Sequence, residues 1–199
     1  MLIIGDVHAL FSQYESIIYS ESFLEGDKAK TLVIGDFGIG FNNPPINVMK
    51  MGNHRYFRGN HDNPTMCKED PFCIKDGTLH EGIFCVGGAY SIDKYRRTEG
   101  IDWWHDEELT INEFNNIIND YENIKPDVVA THDCPANVKS YLIKKSFDAG
   151  DSRTQQALET MFTIHKPSIW FFGHWHMSFD KIIGGTRFIC LNELETMRL

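Results

Sequence analysis

Five short apolar runs in the chain end in the same way, and this pattern constrains the fold more than any other feature. Each run is rich in β-branched or aromatic residues, as buried strands are, and leads through a small residue to Asp, Asn or His. The runs are LIIGDVHA at 2–9, TLVIGD at 31–36, RYFRGNHD at 55–62, DVVATHD at 127–133 and SIWFFGHWH at 168–176. One Gly-Asp pair indicates only a turn, whereas five such carboxyl ends indicate a shared site.

Strands and helices alternate at both ends of the chain, and strands are denser in the middle. This order predicts an α/β sandwich, in which two sheets pack together with helices outside. Further strands are expected at 55–58, 72–75, 83–87, 127–131, 168–172 and 186–191, and helices at 10–23, 107–122, 136–147 and 152–165. The expected helix caps are Thr110 or Asn112 for the helix at 107–122, and Asp151 or Ser152 for the helix at 152–165.

The length of 199 residues predicts a single domain that spans residues 1–199. The net charge of −9 argues against a broad basic face for a nucleic-acid backbone, although a local basic patch remains compatible with it. No apolar run reaches the roughly 20 residues that span a bilayer, and the first residues lead directly into a strand, so no signal peptide is expected. We therefore expect no membrane partner.

The five cysteines are widely scattered and odd in number, which argues against a disulfide framework. Cys67 and Cys73 are too far apart for a CxxC zinc site. A reducing compartment, with the cytoplasm as the default, is the expected location.

The polar strand ends supply oxygen and imidazole nitrogen donors. Such donors suit Mn, Fe, Zn, Co or Ni, and Mn is the expected metal. They are too many for one ion that must also bind a substrate, and they suit two ions roughly 3.5–4 Å apart that share one carboxylate. The candidate residues are Asp6, His8, Asp36, Asn60, His61, His132, His174 and His176.

In order, these ends read D-x-H, GD, GNHD, H and GHxH, and the ordered set resembles the calcineurin-like metallophosphoesterase superfamily over residues 5–176. The resemblance implies a four-layer αββα sandwich and two bound divalent metal ions. The ligands that it implies are Asp6, His8 and His176 for the first metal, Asn60, His132 and His174 for the second, and Asp36 as the bridge.

The resemblance also implies hydrolysis of a phosphate ester without a covalent enzyme intermediate. A water held between two such ions loses a proton near neutral pH, and the metal-bridging hydroxide attacks phosphorus in line. His61 matches the catalytic histidine of the family, acting beside the ligands Asn60 and Asp36. It would protonate the leaving oxygen or stabilise the transition state, a role worth typically 10²–10⁴-fold in rate.

The chain departs from the protein Ser/Thr phosphatase branch, whose second block is GDxVDRG. The acid that orients the catalytic histidine in that branch falls on Ile39, and the following arginine falls on Gly40. This weakens a protein-phosphatase interpretation, and His61 is expected to be oriented by a backbone carbonyl or by Asp62. Asp62 and Asp133 follow ligand positions directly, so each either orients a neighbouring imidazole or closes a turn.

Residues 87–107, GGAYSIDKYRRTEGIDWWHDE, lie where the family places specificity elements. Similar stretches occur in uncharacterised phosphoesterases of bacteria and bacteriophages. Arg96 and Arg97 are candidates for holding phosphate oxygens, and Tyr90 is a candidate hydroxyl donor to phosphate.

The same segment leaves alternatives open. Trp103 or Trp104 could stack on a base, or both could fill the core. The two arginines could instead pair with Glu99 or Asp102 at the surface.

These features together predict a phosphomonoesterase or phosphodiesterase with a small phosphorylated substrate, nucleotides included. A non-catalytic scaffold is the first alternative, since a retromer subunit resembles this fold, but a scaffold predicts lost ligands and here every ligand position is filled. The further alternatives are a protein-phosphatase-like enzyme and a nuclease. Nuclease members usually carry extra domains, so extended nucleic acid is not the expected partner. The oligomeric state is not predicted.

Overall fold

The chain folds into two β-sheets that pack face to face. The computed structural model describes residues 1–143 and 150–199. Within this part of the chain, the first sheet contains β1 (Leu2–Ile4), β2 (Lys30–Ile34), β3 (Asn53–Phe57) and β10 (Thr196–Arg198). The strand order is β10-β1-β2-β3, with β1, β2 and β3 parallel and β10 antiparallel to β1.

The second sheet is larger and has a parallel centre. In the described residues it contains β4 (Thr78–His80), β5 (Ile83–Val86), β6 (Val128–Thr131), β7 (Ile169–Phe172), β8 (Phe179–Ile183) and β9 (Thr186–Cys190). The order is β4-β5-β6-β7-β9-β8, and the two edge strands, β4 and β8, pair antiparallel with their neighbours.

Helices cover the outer faces of both sheets. Those in the described residues are α1 (Phe11–Glu25), α2 (Ile46–Met49), α3 (Pro64–Glu69), α4 (Ile111–Ile124), α5 (Ala136–Lys139) and α6 (Arg153–Ile164), with short 3₁₀ turns at Gly26–Lys28 and Lys94–Arg96. No helix in the described part of the chain is long and apolar enough to cross a bilayer.

The alternation of side chains along each strand divides the core into layers. Leu32 and Ile34 of β2 lie in the apolar cluster between the two sheets, whereas Val33 lies in the outer cluster with α1. On the second sheet, Phe171 faces the inter-sheet cluster and Trp170 joins the outer cluster with α4 and α6. The predicted αββα sandwich is therefore confirmed.

Two helices begin at capping boxes. The Thr110 hydroxyl accepts the backbone N–H of Glu113, whose carboxylate accepts the backbone N–H of Thr110, so α4 begins at residue 111 rather than 107. Ser152 and Gln155 make the same exchange at the start of α6. Of the paired cap candidates, Thr110 and Ser152 are the caps.

The prediction of a strand at 72–75 is wrong. The Asp70 carboxylate accepts the backbone N–H of Phe72, and the Asp70 carbonyl accepts that of Cys73, which makes a turn. Cys73 retains only an isolated bridge to Tyr56. The helix predicted at 136–147 ends at Lys139, and its final residues, 144–147, lie outside the described residues.

Among the strands of the described residues, three were not predicted, and all three lie at sheet edges. β4 and β10 have three residues each, and β8 has no fully buried residue, so none shows the apolar alternation of a half-buried strand. The missed strands extend the sheets without changing their arrangement.

Candidate metal centre

The polar ends of five parallel strands converge at one edge of the sandwich. Asp6, Asp36 and Asn60 follow β1, β2 and β3 of the first sheet, while His132 and His174 follow β6 and β7 of the second. The site therefore draws its side chains from both sheets, as the carboxyl ends of parallel strands allow.

A first group of side chains meets around Asp6. One ligand atom from each of Asp6, His8, Asp36 and His176 lies within 4.8 Å of the others. The Nε2 atoms of His8 and His176 are 2.9 Å apart, and His176 Nε2 is 3.2 Å from Asp6 Oδ2. Ligand atoms that share one ion at 2.0–2.2 Å lie about 3 Å apart, so this spacing fits a shared cation.

A second group meets around Asn60. The amide oxygen of Asn60 is 3.0 Å from His132 Nε2 and 3.0 Å from His174 Nδ1. His132 Nε2 also lies 3.3 Å from Asp36 Oδ1. The three residues are those that the sequence resemblance grouped as the second ligand set.

Asp36 lies between the two groups. Its Oδ1 faces His132 and accepts the backbone N–H of His61 at 2.8 Å, while its Oδ2 lies 3.8 Å from His8 Nε2. Oδ2 is buried and, within the described part of the chain, has no hydrogen-bond partner. A buried carboxylate oxygen without a donor is costly, and a cation bound beside His8 would satisfy it.

The electrostatics of the cluster favour added positive charge. Burial alone would raise the pKa of Asp36, but the neighbouring histidines, first His132 and then His61 and His8, hold it well below its usual value. Burial alone would lower the pKa of His132, but Asp36 and then Asp6 raise it to about 10. The donor set of carboxylate and amide oxygens with imidazole nitrogens therefore fits divalent cations.

Backbone strain is concentrated at these residues. Within residues 1–143 and 150–199, eight non-glycine residues have positive φ, and four of them are His8, Asp36, His174 and His176. Left-handed backbone is unfavourable for residues with a Cβ and is retained where the surroundings enforce it, often at functional sites. The fold thus holds these side chains in place at an energetic cost.

Glycines before two of the ligands make room for carboxylates from other strand ends. A Cβ at Gly59 would overlap Asp36 Oδ1, and a Cβ at Gly173 would overlap Asp6 Oδ1. The glycines before Asn60 and His174 therefore have a steric cause, because the backbone at each of them lies against a carboxylate from another strand end.

Other residues orient the ligands. The Nδ1–H of His132 points at the Ile34 carbonyl, 3.0 Å away, which leaves Nε2 free to bind a cation. Asn60 Nδ2 donates to Ser91 Oγ at 2.9 Å, and the Ser91 hydroxyl donates to the buried carboxylate of Glu107 at 2.5 Å. These two hydrogen bonds turn the amide oxygen of Asn60 toward His132 and His174.

Sequence reasoning missed Ser91 and Glu107. They are 16 residues apart on a segment that is mostly without regular structure, and nothing in their spacing points to Asn60. Only the packing of this segment against the strand ends brings them to the site.

The two aspartates that follow ligands support loops. The Asp62 carboxylate accepts the backbone N–H groups of Phe37, Gly38, Ile39 and Gly59, so it does not orient His61. Asp133 Oδ1 accepts the indole N–H of Trp175 at 2.9 Å, and Oδ2 accepts Gln155 Nε2 at 2.9 Å. Asp133 thus ties α6 to the loop that carries His174 and His176.

His61 lies beside the cluster and contacts an arginine. Its Nδ1 is 3.0 Å from Arg97 Nη1, and Arg97 forms a two-point ion pair with Asp93, at 2.9 and 2.8 Å. Arg97 therefore pairs with Asp93 rather than with the side chain of Glu99 or Asp102; its contact with Asp102 is to the carbonyl oxygen, at 3.4 Å.

A cleft of about 860 Å³ opens beside the cluster. Tyr90 and Arg97 line it together with His61, whereas Arg96 is not among the described lining residues and stacks its guanidinium over Tyr95. Trp103 and Trp104 are also not among its described lining residues. Trp104 is buried against Phe41, and the ring of Trp103 lies near Lys94.

The chain was compared with known protein families and solved structures. A family model described as calcineurin-like phosphoesterase matches residues 1–178. The phosphopantetheinyl hydrolase of Mycobacterium tuberculosis is 13% identical, with a TM-score of 0.51 over 96% of this chain and 89% of that one. A conserved uncharacterised protein of Streptococcus pneumoniae TIGR4, described as a predicted phosphoesterase, is 12% identical, with a TM-score of 0.41 over 96% of this chain and 72% of that one. No curated protein matches the chain.

Proposed function

Because the chain belongs to the calcineurin-like phosphoesterase family, we propose that it hydrolyses small phosphate esters with two divalent cations bound among the converging strand ends. The observation that carries the proposal is the position of Asp36. Its two oxygens face two separate groups of ligands, as a carboxylate shared by two ions would. Asp6, His8 and His176 would hold one cation, and Asn60, His132 and His174 the other.

The residues divide the work of the reaction. The bound cations would supply Lewis acidity, which activates water as the nucleophile and neutralises the phosphoryl oxygens. The backbone N–H of His61 holds Asp36, and the His61 ring lines the cleft, where it can reach the ester. We assign His61 to the charge that develops on the ester in the transition state.

The cleft supports a small substrate. Its volume of about 860 Å³ lies within the roughly 300–1,000 Å³ usual for small-molecule sites. Tyr90 is the proposed neighbour of the substrate in the cleft wall, which Arg97 also lines. The substrate is a phosphomonoester or a phosphodiester, nucleotides included, and a net charge of −9 disfavours extended nucleic acid. The five free cysteines fit a reducing location such as the cytoplasm.

Hydrolysis by metal-stripped and reloaded protein tests the proposal. Protein reloaded with Mn²⁺ is assayed on p-nitrophenyl phosphate and bis-p-nitrophenyl phosphate, and bound metal is counted by mass spectrometry. We expect two ions per chain and turnover that requires them. The ester hydrolysed faster then distinguishes a phosphatase from a phosphodiesterase.

Three variants sharpen the assay. Asp36→Asn should lose both bound metal and turnover, whereas His61→Ala should keep the metal and lose roughly 10²–10⁴-fold in kcat. His105→Ala, which changes an exposed histidine paired with Glu99, serves as the control and should behave as wild type. A chain that binds no metal would contradict the proposal, and two bound metals without turnover on either ester would favour the scaffold alternative.

A further inference from the structure

The orientation of His61 has a different source from that in the protein-phosphatase branch. Where that branch supplies an acid, this chain has Ile39, and the Asp62 carboxylate is occupied by four backbone N–H groups. The His8 ring packs edge-on against the His61 ring, with the ring centroids 5.5 Å apart. A side chain at hydrogen-bond distance from the ring is that of Arg97, whose Nη1 lies 3.0 Å from Nδ1.

Arg97 is itself held in place. Its Nε and Nη2 bind the two carboxylate oxygens of Asp93 at 2.9 and 2.8 Å, and Nη1 also lies 3.4 Å from the Asp102 carbonyl. A two-point ion pair fixes the plane of the guanidinium, and with it the direction of Nη1. The side chain is about a quarter exposed, so the contact is formed in the wall of the cleft.

We propose that Arg97 is a positioning residue that fixes His61 in the tautomer with its proton on Nε2. A guanidinium has five N–H donors and no acceptor, so the Nδ1 that faces it must offer a lone pair. A carboxylate partner would impose the opposite arrangement, because it would accept a proton from Nδ1. With Arg97 as the partner, Nδ1 of the catalytic histidine accepts a hydrogen bond, whereas with a carboxylate partner it would donate one.

The consequence for the reaction rests on the proposed function. A histidine held with Nδ1 bare and Nε2 protonated serves as a hydrogen-bond donor, and losing that proton would leave a strongly basic imidazolate. A neutral imidazole can stabilise developing negative charge in this way without transferring its proton. His61 then stabilises charge on the departing oxygen or on the phosphoryl group, and the departing oxygen takes its proton from water.

The tautomer can be measured without any assay of activity. Long-range proton–nitrogen correlation spectra of ¹⁵N-histidine-labelled full-length protein, loaded with diamagnetic Zn²⁺, distinguish protonated from bare ring nitrogens, and His61→Ala assigns the His61 signals. We expect Nε2 protonated and Nδ1 bare in the wild type. In Arg97→Met we expect the tautomer to shift or become mixed. A proton on Nδ1 in the wild type, or an unchanged tautomer in Arg97→Met, would overturn the proposal.

Kinetics separate positioning from substrate binding. Arg97→Met should lower kcat by about 10- to 100-fold with little change in KM, and Arg97→Lys, which keeps one donor, should recover part of the loss. Asp93→Asn should give a smaller loss in the same direction. Arg187→Met removes an equivalent two-point pair with Asp180, between β9 and β8, and should leave kcat unchanged.

The outcomes distinguish the two proposals. A raised KM with unchanged kcat in Arg97→Met would show that Arg97 binds substrate and would overturn its positioning role. If no ester is hydrolysed but Arg97→Met still shifts the His61 tautomer, the positioning role stands and the proposed function fails.

Discussion

His54 is a buried histidine outside the metal centre, and its environment favours the neutral ring. It lies on β3, its Nδ1 is 3.1 Å from the Thr31 hydroxyl, and its Nε2 has no partner in the part of the chain that the structure describes. Burial, and then the charge of Arg55, lower the pKa of His54 to about 4. The residue therefore stabilises the fold only while it remains uncharged.

We predict that this histidine makes stability fall as the pH falls. Below its ordinary pKa of 6.5 the unfolded chain gains a proton that the folded chain does not accept until about pH 4, so the loss occurs between these values. Between pH 7 and pH 5 the folded state should lose about 2 kcal/mol relative to His54→Gln. Urea unfolding at both pH values measures this difference, and parallel pH dependences in the two proteins would contradict the prediction.

At the scale of elements, α6 connects its own cap to the metal centre. Ser152 and Gln155 form the capping box, and Gln155 also donates to Asp133, which holds Trp175 in the loop between His174 and His176. The first turn of α6 also lines the cleft. The start of this helix is thus both a structural cap and part of the site wall.

We predict that Ser152→Ala lowers the free energy of unfolding by about 1 kcal/mol, because the backbone N–H of Gln155 loses its acceptor, the Ser152 hydroxyl. Thr110→Ala, at the equivalent cap of α4, is the matched variant and should cost a similar amount. Denaturant unfolding of both variants tests the prediction. A Ser152→Ala protein as stable as the wild type would show that α6 is held by packing alone.

The parallel strands could be predicted because each combines an apolar run with a polar end. The edge strands could not be predicted, since β8 has no buried residue and β10 is only three residues long. The turn at Asp70 overrode the apolar pattern at 72–75 because its carboxylate and carbonyl bind the next two backbone N–H groups.

The candidate site divides in the same way. Side chains that follow a strand directly, such as Asp36 and His132, can be located from sequence because the sheet fixes where they go. Ser91 and Glu107 come from a segment that is mostly without regular structure, and only its tertiary packing brings them beside Asn60. Arg97, from the same segment, could be predicted as a site residue, but its contact with His61 could not.

At the scale of the whole molecule, the proposed ligands tie two sheets together. We predict that Mn²⁺ raises Tm of the metal-stripped protein by roughly 5–10 °C for each ion bound at a concentration of about 100 times its Kd, since one such ion, bound to the folded state alone, adds about 2.7 kcal/mol. Thermal unfolding with and without Mn²⁺ measures this. Asp36→Asn is the control and should show no shift; an equal shift in that variant would place the stabilising ion elsewhere.

The layer of apolar side chains between the sheets sets the distance between the two sheets, and with it the distance between the proposed metal ligands that each sheet carries. Ile34 and Phe57 on one side meet Cys85 and Phe171 on the other, a few residues below the strand ends that carry the donors. Interiors are packed closely enough that one added or removed methylene shifts neighbouring backbone. Affinity at the proposed metal centre should therefore respond to core packing, and exchanges among these buried residues should alter it without changing any proposed ligand.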